Sequence, residues 1–254
     1  MMWDDDLQDV ADTSLNGGDV HVWVSSLESP HEQVLKHQRL LSKDEIRRAS
    51  SFRFARDRNR FVLAHGIVRS ILSRYLSMAP ADLAIRRADS GRPHLESTGG
   101  GEDVQFSMSH TEDRVAVAIA RDMDVGVDIE RIREVQRMDS ILARCLSEQA
   151  LLEVMAMSAE ERRQAFFTWW TANEALLKAR EKGMGSLSEG LDIIPENGRI
   201  IPNDSNNVSG DTTWSLSMRD VEPDYKLAVV ASGEGLSFRY SKTAAQPHLT
   251  TEKS

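Results

Sequence analysis

The sequence predicts an α+β protein built as two lobes. Three observations carry this. Each half of the 254-residue chain mixes short alternating strands with one long helix. No Pro- or Ser-rich linker separates the halves, so they should share an interface. The hydrophobic fraction of 40% is enough to fill a sizeable core. The expected division is an acidic, poorly ordered tail over 1–18, an N-terminal lobe over 19–122, a C-terminal lobe over 123–241 and an unstructured tail over 242–254.

In the first lobe, Val20-His21-Val22-Trp23-Val24 places valines at alternate positions, the mark of a strand. Ser42-Lys43-Asp44-Glu45 has the form of a capping box and predicts a helix to about Ser50. From Arg56 to Leu76, Phe61, Ala64, His65, Val68, Leu72 and Tyr75 recur at three-or-four spacing, which predicts a long helix with one buried face. Leu83-Ala84-Ile85 is a short strand candidate, Ser90-Gly91-Arg92-Pro93 a turn and Thr98-Gly99-Gly100-Gly101 a loop. Val104–Ser109 and Arg114–Ala120 read as strands joined by a turn over His110-Thr111-Glu112-Asp113.

In the second lobe, Val125–Glu130 is a strand, Ser147–Met157 a helix, and Glu160–Arg180 a long aromatic-rich helix ended by Gly183 and Gly185. Asn203–Gly210 reads as a polar loop, Trp214–Met218 and Lys226–Ala231 as strands, and the chain after Ser241 as an unstructured tail.

Composition narrows the function classes. A charged fraction of 28% and a mean hydropathy of -0.41 are those of a soluble globular chain. No apolar run approaches a membrane span, and the start Met-Met-Trp-Asp-Asp-Asp lacks the form of a signal peptide. The single cysteine, Cys145, cannot form an internal disulfide. Together these predict a cytoplasmic protein without a membrane partner. A net charge of -9 argues against a general nucleic-acid binder. Against this background, Arg47, Arg48, Arg53, Arg56, Arg58, Arg60, Arg69 and Arg74 face a single acid, Asp57. Such a segment suits a compact anionic ligand or acidic partner, and equally an ordinary solvated helix face.

Four places can carry chemistry. In Val127-Asp128-Ile129-Glu130, two carboxylates fall on one side of a strand while Val127 and Ile129 face the core. Such a pair repels unless a cation lies between, and a hard ion such as Mg²⁺ suits oxygen ligands. An isolated D-x-E is more often a polar strand edge, here with Glu130 paired to Arg131 or Arg133. Glu174 and Lys178 share a helix face, which serves a surface ion pair or a cleft carboxylate. Phe106-Ser107-Met108-Ser109-His110-Thr111 ends a strand in hydroxyls and an imidazole that can donate to a phosphate. It can also be a capped turn with a surface histidine. A Ser109–His110 nucleophile pair fails, because strand neighbours point to opposite faces. Gly91-Arg92-Pro93-His94-Leu95 fixes a turn from which Arg92 projects.

Taken in this order, these blocks resemble the 4′-phosphopantetheinyl transferases of the surfactin-synthetase-activating type, over roughly Val20 to Ala231. The most specific marks are Gly126-Val127-Asp128-Ile129-Glu130 and Trp170-Thr171-Ala172-Asn173-Glu174-Ala175-Leu176-Leu177-Lys178-Ala179. The resemblance implies a pseudo-two-fold fold of two similar lobes, each with a small sheet and a long helix, with coenzyme A bound between them. It implies transfer of the phosphopantetheine arm to a serine of an apo acyl or peptidyl carrier protein by a monomeric enzyme, with release of 3′,5′-ADP. Asp128, Glu130 and Glu174 match the Mg²⁺ positions, where Mn²⁺ is also possible. Glu174 matches the proposed general base, and Lys178 a lysine that contacts the phosphates. Arg60, Arg92 and His110 match positions around the 3′-phosphate, and Arg48 falls near the same group. Pro93 and Ser109 complete the expected coenzyme A set. The chain departs from the family pattern at Asn173, where lysine is usual, at Glu181, where glycine is usual, and at Ser107 and Thr111, where asparagine and serine are common. Competing readings are a non-catalytic coenzyme A or carrier-binding module and a Mg²⁺-dependent phosphohydrolase. The retained acids and Lys178 weigh against the first, and the lack of a second acid cluster against the other.

Overall fold

Alternation along the strands decides which face each buries, and here it builds four layers. The computed structural model describes residues 13–88, 91–96, 104–180, 191–194, 199–202, 213–222 and 224–242. The first lobe contains β1 (Asp19–Ser26), α1 (His31–Gln38), α2 (Lys43–Ser50), α3 (Ala55–Leu76), β2 (Ile85–Arg87), β3 (Pro93–Leu95), β4 (Val104–Thr111) and β5 (Arg114–Arg121). Then follow β6 (Val125–Arg131), α4 (Met138–Cys145), α5 (Glu148–Met155), α6 (Ala159–Ala179), β7 (Leu191–Ile194), β8 (Arg199–Pro202), β9 (Trp214–Val221), β10 (Tyr225–Ser232) and β11 (Ser237–Lys242). One sheet has the order β11-β1-β5-β4, the second β6-β10-β9-β8-β7, and β2-β3 form a small hairpin.

In β5, Val115, Val117 and Ile119 join Trp23, Phe61, Ala64, Val68 and Leu72 under α3. The intervening Ala116, Ala118 and Ala120 join Val20, Val22 and Val24 on the other face. There they meet Val125, Val127 and Ile129 of β6 and Leu227, Val229 and Ala231 of β10. The outer face of β10, with Ala228 and Val230, carries α6 through Ala172, Ala175, Leu176 and Ala179. The layers are therefore α3, first sheet, second sheet, α6. Because Val125, Val127 and Ile129 point inward, the pleat turns Gly126, Asp128 and Glu130 toward the α6 side.

Both long helices and the strand pairs lie where the periodicity predicts them. The Ser42–Glu45 capping box is present, with Ser42 N donating to Glu45 at 2.8 Å. Three expectations need correction. His110 and Thr111 belong to β4, with Thr111 opposite Arg114, so the turn is confined to Glu112 and Asp113; Glu112 takes a positive φ of 45° there. The candidate strand at Leu83 starts later, at Ile85, because the Leu83 carbonyl accepts from the buried Arg69 guanidinium at 3.1 Å. Residues 13–18 are not loose: Leu15 is buried in the α3 core. A strand that the sequence reading did not assign, β11, pairs parallel with β1 and so completes the first sheet. The expected tail over 1–12 and from 243 onward, the loops at Thr98–Gly101 and Asn203–Gly210, and Glu181, Gly183 and Gly185 lie outside the described residues. No described helix is long and apolar enough to cross a membrane.

Candidate active site between the two sheets

The site forms where edge strand β4 of the first sheet meets edge strand β6 of the second. Ser107 Oγ accepts from Val127 N at 3.1 Å, so this departure from the family's asparagine ties the two strands together. Two residues on, Ser109 Oγ donates to Asp128 Oδ1 at 2.7 Å. Thr111 Oγ1 lies 3.5 Å from Glu130 Oε2. The odd-numbered hydroxyls of β4 thus face β6. His110, of opposite parity, faces the α3 side.

α6 supplies the remaining groups. Its sheet-facing row, Ala172, Ala175 and Ala179, is small, and the backbone of β6 comes close. A Cβ on Gly126 would stand 1.9 Å from Ala175 O and 2.5 Å from Ala179 N. Only glycine permits that approach, and it sets Glu174 and Lys178 over Asp128. Lys178 Nζ pairs with Asp128 Oδ1 at 2.7 Å, not with Glu174 as a simple surface i,i+4 pair would. Asn173 is buried and donates to Trp169 O at 2.8 Å, so this second departure from the family closes on its own helix. Ahead of it, Phe166, Phe167 and Trp170 pack on α4 and α5, as core aromatics should.

Among the described residues, two buried carboxylate oxygens, Asp128 Oδ2 and Glu174 Oε1, have no hydrogen-bond partner. Orphaned acceptors of this kind cost free energy unless a cation or donor meets them. Burial, with the charges of Asp128 and Glu130, pushes the Glu174 carboxyl up to about 7 against the pull of Lys178. Burial and Asp128 likewise raise Glu130, which Arg133 partly offsets from 3.4 Å. These acids are short of positive charge, and the donor set is all oxygen, which fits a hard divalent ion. Among the described residues, no three acid, histidine or cysteine side chains already stand together at metal-holding spacing. The Lys178 ammonium takes Asp128 Oδ1 instead.

The opposite wall is cationic. Burial, with the charges of His65, Lys178, Arg48 and Arg60, pushes the His110 imidazole down to about 4. His110 is nonetheless exposed to solvent, so the surrounding cations are the part of this effect that a ligand would feel. Arg48 stacks over Phe61 at 5.4 Å, and Phe61 packs on His65 with ring centroids 4.0 Å apart. Arg87 lies close enough to Arg48 that, after burial, the Arg48 charge lowers its pKa. Arg87 and His65 are functional candidates that the sequence reading did not single out. Of the arginine-rich segment, Arg48 and Arg60 face this wall. Arg69 is buried and structural, bound to Glu45 at 2.7 Å, Arg74 covers Trp23, and Arg53 lies over Phe54.

Pro93 opens β3 opposite Arg87. The Arg92 guanidinium donates to Phe106 O at 3.2 Å, to Val125 O at 2.7 Å and to Lys178 O.

Comparison with known proteins agrees with this geometry. Residues 27–122 match the model of the "4′-phosphopantetheinyl transferase, N-terminal" family, and residues 124–230 that of the "4′-phosphopantetheinyl transferase superfamily". The 4′-phosphopantetheinyl transferase HetI of Nostoc sp. is 28% identical over 222 residues, covering 87% of this chain and 91% of that protein. The 4′-phosphopantetheinyl transferase Sfp of Bacillus subtilis is 22% identical over 205 residues, covering 79% and 86%. A second Bacillus subtilis relative, the transferase ffp, is 23% identical over 205 residues, with the same coverage. With both lobes matched and the acids of β6 and α6 drawn together on one side of the second sheet, the chain belongs to the 4′-phosphopantetheinyl transferase family.

Proposed function

We propose that this transferase moves the phosphopantetheine arm of coenzyme A to a carrier-protein serine with a divalent ion, Mg²⁺ or Mn²⁺, held by Asp128, Glu130 and Glu174. One observation carries the metal reading: among the described residues the buried oxygens Asp128 Oδ2 and Glu174 Oε1 have no hydrogen-bond partner, and the charges of Asp128 and Glu130 both act on Glu174. When bound, the ion would offset the negative charge that grows on the diphosphate during transfer.

The chain's own residues supply the rest. Ser109 fixes one Asp128 oxygen, leaving the other to point into the site. Lys178 reaches the phosphates from α6 and steadies the departing 3′,5′-ADP. Arg48, Arg60 and His110 receive the 3′-phosphate, with Pro93 beside them. A neutral imidazole among cations binds a dianion by gaining a proton, which the dianion favours. Glu174 takes the proton of the carrier serine, directly or through water, as that oxygen attacks phosphorus and the P–O bond to 3′,5′-ADP breaks.

A cytoplasmic monomer is part of this proposal. The cationic wall comes from the first lobe and the acids from the second, so one copy supplies both halves. The test is the mass of apo carrier proteins from several pathway types after incubation with the chain, coenzyme A and Mg²⁺. Gain of one phosphopantetheine with 3′,5′-ADP released supports the reading. ADP released with an unmodified carrier points to a hydrolase. Coenzyme A binding with neither product points to a non-catalytic module.

A further inference from the structure

A cluster outside the site joins the tip of the β4–β5 hairpin, in the first lobe, to the second sheet. Tyr225, at the start of β10, is buried, and its hydroxyl donates to Asp113 Oδ1. Arg114 closes the group: it pairs with Asp113 Oδ2 at 2.5 Å and lies over the Tyr225 ring at 5.3 Å. Against the cost of burial, the Tyr225 hydroxyl and the Arg114 guanidinium hold the Asp113 carboxyl below its usual range. The acceptor is therefore charged at neutral pH, and a charge-assisted bond is stronger than a neutral one. Backbone bonds brace both ends. Asp113 O accepts from Leu27 N at 2.7 Å, and Asp224 O, beside Tyr225, accepts from Ile132 N at 2.8 Å. The neighbouring contacts are weaker. The Glu112–Arg131 pair is exposed and open to solvent screening, and Thr111 Oγ1 stands 3.5 Å from Glu130 Oε2.

We propose that Asp113 and Tyr225 are positioning residues, an interlobe latch that fixes the cationic wall of the first lobe against the acids of the second. The apolar core between the sheets is extensive, but hydrophobic contact is non-directional and does not by itself set how far β4 slides along β6. Polar ties do. Ser107 and Ser109 tie β4 to Val127 and Asp128. Asp113 ties the hairpin tip to β10 at the end of β6, where Tyr225 lies opposite Arg131. Along the two strands, His110 of the cationic wall and Glu130 of the acid group fall between these ties. The proposal rests on the transferase reading, in which coenzyme A spans the same gap with its 3′-phosphate on the first lobe and its diphosphate on the second. The second of those contacts forms at an effective concentration set by how rigidly the lobes are held. The latch thus acts on the bridging ligand and not on either half alone.

Tyr225→Phe removes the hydroxyl and keeps the ring under Arg114; Asp113→Asn keeps the shape and removes the charge. Calorimetry in Mg²⁺ measures binding of coenzyme A and of 3′-dephospho-coenzyme A, which lacks the group held by the first lobe. Thermal midpoints show that each variant is folded. The latch predicts that Tyr225→Phe binds the dephospho compound within about twofold of wild type and loses about tenfold in affinity for coenzyme A. Asp113→Asn should shift the ratio of the two affinities in the same direction, and it carries the comparison if Tyr225→Phe does not fold. An unchanged ratio in the folded variants overturns the latch. So does an equal loss for both compounds, the result that general loosening of the fold would give. A wild type that binds both compounds equally leaves the latch no first-lobe contact to aim and overturns it as well. Wild-type protein that binds neither compound overturns the transferase reading, and the latch with it.

Discussion

Gly126→Ala probes the tightest glycine position among the described residues. The added Cβ would lie 1.9 Å from Ala175 O, against 3.4 Å at the near end of ordinary contact, so α6 must retreat by about 1.5 Å at that point. The carbonyl belongs to helix backbone and cannot turn aside as a side chain would. Glu174 adjoins Ala175 in sequence, and Lys178 adjoins the second clashing atom, the amide of Ala179. The retreat therefore carries both functional side chains away from Asp128 and stretches the 2.7 Å Lys178–Asp128 contact. Overpacking of this kind costs about 2 kcal/mol of stability. A misplacement near 1 Å can lower turnover on the order of 10²-fold. The assay is steady-state transfer to an apo carrier at saturating Mg²⁺, with urea unfolding followed by circular dichroism. The reasoning fails if Gly126→Ala folds with wild-type stability and keeps kcat within twofold.

Two further perturbations test the electrostatics. Glu174→Gln should stabilise the metal-free protein at pH 8 and not at pH 5. The folded-state pKa of Glu174 is raised from 4.5 to about 7, so its favourable contribution is present below about pH 4.5 and lost as pH rises through 7. The full shift corresponds to about 3 kcal/mol, and solvent screening of a half-buried group leaves about 1 kcal/mol. Thermal midpoints in chelator should then differ by about 3 °C at pH 8; equal midpoints at both pH values contradict the raised pKa. Glu45→Ala should be more damaging. Against the cost of burial, His65, the Ser42 amide and Arg69 hold Glu45 down to about 2. Its removal strands the buried Arg69 and should cost about 3 kcal/mol in urea unfolding. The Glu45 contribution is present above pH 4.5 and lost as pH falls toward 2, so the deficit of the variant should shrink in acid.

Much of the arrangement was legible in the sequence because local periodicity carries it. The α3 pattern, the alternation in β4 to β6 and the same-side placement of Asp128 and Glu130 all follow from residue spacing. What stayed hidden depends on partners far along the chain. β11 is a short strand whose order comes from parallel pairing with β1, a contact between the two ends of the protein. α1 follows Pro30, a helix-start signal, but its own sequence is polar and only Val34 and His37 are buried. The turn at Arg92 gave no sign of its bonds to the carbonyls of Phe106, Val125 and Lys178, because these belong to elements apart from it in sequence. Glu45 read as a helix cap, which it is. That the same carboxylate also binds His65 and Arg69 needed α3 packed against α2.

The central claim is that three carboxylates from β6 and α6 close on one divalent ion. A crystal of the protein grown with Mn²⁺ and coenzyme A, measured at the manganese absorption edge, tests it directly. The account predicts one anomalous peak between Asp128, Glu130 and Glu174, touching the diphosphate, with Lys178 moved off Asp128 toward the phosphates. A diphosphate bound with no metal at those oxygens, or a metal held elsewhere, would contradict it.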